Sequence, residues 1–102
     1  MANVEDTQPP AVGVYWIAEK DYAALRNIFV DGKKMPSTWQ AWVKMAEEME
    51  NGLKSYGHAV MRVHIDPKTF SAWCNDHGTS PDRDARKRFV AAAVKDRYGD
   101  QK

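Results

Sequence analysis

Cys74 and His77 stand three residues apart, close enough on a helix to share a face, and His64 lies a short way upstream. A thiolate with two imidazoles is a sensible partial donor set for zinc. Structural zinc takes four ligands, usually in paired short spacings, and no second pair is visible. The same cysteine and histidine could act as nucleophile and base. Cys74, however, falls past the middle of its predicted helix, where the dipole opposes a thiolate. It also follows Trp73 on an apolar stripe, where a thiol behaves as a small hydrophobe. Packing is therefore the expected role of Cys74, and no metal or other cofactor is expected.

Other catalytic constellations are thin. Glu47, Glu48 and Glu50 fall on a predicted wet helix face, and Asp82 and Asp84 bracket Arg83, so both groups read as solvated charge. There is no Gly-rich phosphate loop, no nucleophile elbow and no His-Glu-x-x-His. An enzyme is not expected.

Binding chemistry has more material. Arg83, Arg86, Lys87 and Arg88 cluster in the last third of the chain. Arg62 and His64 project from a predicted strand. Residues 58–102 carry a formal +3, against −2 for residues 1–57. A basic patch suits a partner surface or nucleic acid, although a solvated helix face has the same composition. Trp16 sits in a strand between Tyr15 and Ile17; left exposed it would mark a contact surface, and burial under the N-terminal tail is the equal alternative.

These residues need elements to position them. Val12–Ile17 is β-branched and aromatic, too short for a helix, and reads as a strand. From Glu19 the period shifts: Tyr22, Leu25, Ile28 and Phe29 make one helical stripe, with Asp31-Gly32 as its end. Ser37-Thr38-Trp39-Gln40 reads as a capping box with Ser37 as cap. Trp39, Trp42, Val43, Ala46, Met49, Leu53 and Tyr56 follow at helical spacing, with Lys44/Glu48 and Glu50/Lys54 as outer pairs and Gly57 as the stop. Next, Ala59, Met61, Val63 and Ile65 alternate with His58, Val60, Arg62 and His64, a strand with one buried face. Asp66-Pro67 opens a third helix carrying Phe70, Trp73, Cys74 and His77, closed by Gly78. Ser80-Pro81 opens a fourth, carrying Ala85, Phe89, Val90, Ala93 and Val94.

The expected fold is thus α+β: four helices on a small two-stranded ribbon, in the order β-α-α-β-α-α. Ile17–Leu25 also echoes Ile65–Trp73, weakly, as two strand-to-helix junctions would. Residues 1–11 hold a Pro9-Pro10 pair and little apolar matter, so a mobile tail is expected, then one domain over 12–99 and a polar end at 100–102.

The 102 residues suit one domain. A composition 43 % hydrophobic and 28 % charged, with four Trp, four Tyr and three Phe, excludes collagen, a coiled-coil rod and a wholly disordered chain. No apolar run is long enough to span a membrane. One cysteine cannot form an internal disulfide, and with no signal peptide in view a cytoplasmic home is expected.

Residues 59–98, an alternating strand, the Asp66-Pro67 helix start, the Gly78-Thr79-Ser80 turn and a second capped helix, resemble the ribbon-helix-helix DNA-binding fold. That resemblance implies antiparallel strands paired across a dimer, with Arg62 and His64 reading bases and Ser80 at phosphate. Runs such as Phe70-Ser71-Ala72-Trp73-Cys74 resemble those of small bacterial proteins but supply no site. The leading expectation is a non-catalytic domain that binds another protein or a second copy of itself, with Arg62, His64, Arg83, Arg86, Lys87 and Trp16 as surface. A DNA-binding regulator is the first alternative, and a Cys/His metal or thiol protein the second.

Overall fold

The structure is a computed structural model that describes residues 11–98. Its elements run β1 (Val12–Trp16), α1 (Glu19–Ile28), a 3-10 turn (Gly32–Lys34), α2 (Trp39–Ser55), β2 (Val60–His64), α3 (Pro67–Asp76) and α4 (Arg83–Tyr98). The expected α+β class and β-α-α-β-α-α order are both present. The expected tail over 1–10 and the polar end lie outside the described residues. Ala11, expected in that tail, is buried.

β1 and β2 pair in parallel, with Val12 opposite Val60 and Trp16 opposite His64. Parallel strands need a long crossover, and α1 with α2 supplies it. The antiparallel pairing across two copies that the ribbon-helix-helix resemblance implies would have to form on another strand edge. Strand β2 and helix α3 match β1 and α1 length for length. The Ile17/Ile65 echo therefore falls at the same register as the strand pairing, and both isoleucines are fully buried.

Side chains alternate along each strand, so Val14 and Trp16 share a face with Arg62, while Gly13 faces α4. A Cβ at Gly13 would overlap the side chains of Val90 and Val94, so only glycine admits α4 this close. Across the core, Trp42 gathers Trp16 edge-on at 5.5 Å and Tyr15 and Tyr22 at 5.9 Å each. Phe70 meets Phe29 and Phe89 edge-on. Burial of each such side chain contributes about 1.5–3 kcal/mol before entropy is subtracted.

Several local readings shift. The cap of α2 is Thr38, whose hydroxyl accepts from the Ala41 N–H, rather than Ser37. Helix α4 begins at Arg83, with the Asp82 carboxylate accepting from the Ala85 N–H, so Asp82 serves as a cap. Helix α1 ends at Ile28 rather than at Asp31-Gly32, and Gly32 is required because a Cβ would run into the Arg26 backbone. Gly57 and Gly78 do end their helices, both at positive φ. Met49 on α2 and Tyr56 at its C-terminal cap leave the expected apolar stripe and are exposed. On β2 Val63 is buried and Met61 half-buried, and Ile65 just past its end is buried. Ala59 is exposed, and Val60, expected outward, packs against the core.

Candidate functional site

Two charged residues expected at the surface are buried instead. Arg86 points both terminal nitrogens at Asp31, Nη1 to Oδ1 at 2.9 Å and Nη2 to Oδ2 at 2.8 Å. Its guanidinium also lies over the Phe29 ring at 4.5 Å, and the residue is 5 % exposed. Its Nε is buried with no hydrogen-bond partner among the described residues. Glu50, read as solvated, is buried beneath Arg62, which donates to it from Nε and Nη2 at 2.8 Å each. The ion pairs among the described residues are these two; the expected Lys44/Glu48 and Glu50/Lys54 pairs are not among them.

Each pair holds its carboxyl in the charged form. Hydrogen bonds from Arg62 keep Glu50 below its ordinary value despite burial, and those from Arg86 do the same for Asp31. Trp16 is buried rather than exposed. The Arg62 guanidinium lies 3.7 Å from its ring centroid and covers it from the solvent side. His64 remains exposed on the same strand face.

Cys74 is buried, and burial, then the Asp82 carboxylate, pushes its thiol upward. His77 is exposed and stacked on Trp73 at 4.0 Å, with Nδ1 2.9 Å from the Trp73 carbonyl. Among the described residues, no three His, Cys, Asp or Glu side chains gather as a metal site would require. Nor is any described helix long and apolar enough to cross a membrane.

A groove of about 800 Å³ runs along the outer edge of β1. Such a volume falls within the range of ligand sites. The alternation of strand hydrogen bonding fixes what that edge offers. Val12 donates toward β2 (to the Ala59 carbonyl) and Trp16 accepts from it (the Ile65 N–H). Gly13 and Tyr15 therefore turn their N–H and C=O groups the other way, into the groove. Among the described residues none hydrogen-bonds to those four groups. Just past them, the Trp39 indole donates to the Ile17 carbonyl at 2.8 Å and closes that end.

Two helices wall the groove. Helix α4 contributes Val90, Ala91 and Val94, and α2 contributes Met49, which is 52 % exposed. Arg83 and Lys87 stand together on the α4 wall with Lys95 further along, all exposed. The predicted basic cluster thus divides. Arg83 and Lys87 line the groove, Arg86 lines it while paired to Asp31, and Arg62 and His64 lie on the sheet face opposite the one that Gly13 turns to α4. Sequence reasoning missed the outward-turned Gly13/Tyr15 edge and Lys95. The available signal was Gly13 itself, a glycine within a β-branched strand, which marks close backbone approach.

No family model matches the chain, and no curated protein or solved structure does either.

Proposed function

We propose that this chain is a non-catalytic interaction domain that takes an extended segment of another protein onto the outer edge of β1. The observation that carries this is the row of backbone groups at Gly13 and Tyr15 that no described residue hydrogen-bonds, set between apolar walls. Strand addition uses main-chain hydrogen bonds for affinity and alternate side-chain pockets for specificity. A small molecule would leave most of those edge groups unmatched. A two-stranded sheet is also the minimal case of an exposed edge, a feature proteins otherwise cover, charge or shorten. The buried thiol of Cys74 and the absence of a clustered donor set among the described residues lend no support to thiol or metal chemistry. Duplex DNA contact through Arg62 has the same weakness, since that side chain is engaged by Glu50 and Trp16.

The test is amide exchange on the full chain with and without a blocked heptapeptide alternating threonine and valine. The Gly13 and Tyr15 amides gain protection, because Val12, Val14 and Trp16 already face β2. N-methylating the valine amides and the threonine amides in separate peptides abolishes binding for one set only, since one set faces β1. Binding without that alternation, or no binding at millimolar peptide, overturns the reading.

A further inference from the structure

The charge around the groove goes further than its shape. Among the described residues its charged lining is Arg83, Arg86, Lys87 and Lys95, with no carboxylate. Arg86 is neutralised by Asp31, which leaves three cations without an ion-pair partner among the described residues. Their placement along the groove is ordered. Helix α4 runs opposite to β1: the Arg86 guanidinium lies 5.1 Å from the Tyr15 ring centroid, while Val90 and Val94 bear on Gly13. Arg83 and Lys87 thus stand at the Tyr15 end and Lys95 at the Val12 end. At 1.5 Å per helical residue, Arg83 and Lys95 are about 18 Å apart. Five strand residues span about 17 Å. The cations flank one strand's length, and the aliphatic wall of Val90 and Val94 lies between them.

Resting on the strand-addition reading, we infer that the partner segment is extended, aliphatic at its centre and acidic at both ends. A second copy of this chain is the poorer occupant of the same edge. Two such grooves face to face would set Arg83, Lys87 and Lys95 against one another, and like charges across an interface cost affinity. An acidic segment neutralises all three. Steering by the cationic rim also raises its association rate in a way that salt suppresses.

The experiment uses the full chain and three blocked heptapeptides sharing a valine-rich centre, with glutamate, glutamine or lysine at the ends, titrated at low and high salt. The glutamate peptide binds about tenfold or more tightly than the lysine peptide at low salt, and the gap narrows at high salt. Lys87→Glu and Lys95→Glu, both exposed, each shrink the preference without changing the fold. Equal binding of all three peptides, with alternate protection at Gly13 and Tyr15 intact, overturns the charge inference and leaves strand addition standing. Loss of alternate protection with every peptide overturns the underlying reading instead. Protection of both amides in the peptide-free chain would mean that this chain, in the same or a second copy, already covers the edge, and that overturns an external partner.

Discussion

Arg62 grips Glu50 with two parallel hydrogen bonds, Nε to Oε2 and Nη2 to Oε1, each 2.8 Å long, and thereby ties β2 to α2. The two partners are unequally placed: the Glu50 side chain is 7 % exposed and the Arg62 side chain 42 %. Deleting the arginine strands a buried carboxylate, whereas neutralising the glutamate leaves a guanidinium that water can reach and Trp16 still supports. Arg62→Met should therefore cost about 1–3 kcal/mol. Glu50→Gln should cost under about 1 kcal/mol. Urea unfolding of both variants checks the ordering, and a larger loss for Glu50→Gln would contradict it.

The second pair carries the opposite asymmetry. Arg86 is the buried member, its side chain 6 % exposed against 29 % for Asp31. Here removal of the acid is the damaging change, because it leaves a charged guanidinium in the core with Nε already unmatched. Asp31→Ala should destabilise by about 3–5 kcal/mol. Arg86→Met, which keeps the apolar contact with Phe29 and removes the buried charge, should cost clearly less. Thermal or urea unfolding of the two single variants reads this directly.

Acid should unfold the protein through these carboxyls. Glu50 is held below its ordinary 4.5 chiefly by Arg62, Asp31 below 3.8 chiefly by Arg86, and Asp66 below 3.8 chiefly by the Thr69 N–H that it caps. A depressed folded value contributes stability that is present above the unfolded value and lost as pH falls through the folded one, because the unfolded chain binds more protons in that window. The urea midpoint should therefore hold near neutrality and fall from about pH 5 downward. In Arg62→Met the Glu50 share is already gone, so the acid fall should be shallower than in the parent. An identical slope would remove Glu50 from the account.

Cys74 should resist alkylation. Its thiol is buried, and both burial and the neighbouring Asp82 oppose the thiolate. Iodoacetamide at pH 8 should label the folded chain far more slowly than a free thiol, with urea restoring the ordinary rate. Fast labelling of native protein would place a reactive thiolate where the fold shows a packed one.

The element order was legible because its punctuation is local: Asp66-Pro67 and the glycines at 57 and 78 act within one helical turn. Strand direction was not, since a period of two is the same in parallel and antiparallel pairs. The buried ions were hidden for another reason. Arg86 reads as part of a solvated basic cluster, and its partner Asp31 lies 55 residues earlier. The aromatic stripe on Trp39 and Trp42 could be read directly, whereas the burial of Trp16 depends on Arg62 folding over it from the other strand. Of the candidate site, Arg83 and Lys87 were visible as cations. The outward-turned edge beside them exists only once strand order is set, so no window of the sequence contains it.

Gly13 joins the fold to the proposed site, and this makes its substitution informative. Helix α4 rests on the bare Cα, and any Cβ there meets Val90 and Val94. The same residue turns its N–H and C=O into the groove. Gly13→Ala should force α4 outward and cost about 1–3 kcal/mol by overpacking. Val94→Ala in the same chain opens space for the new methyl and should return part of that loss, a coupling that distant, independent sites would not show. Comparing urea midpoints of the two single variants and the double variant measures it. Strict additivity would mean that α4 does not bear on β1 at this point, and the groove wall would then have to be drawn elsewhere.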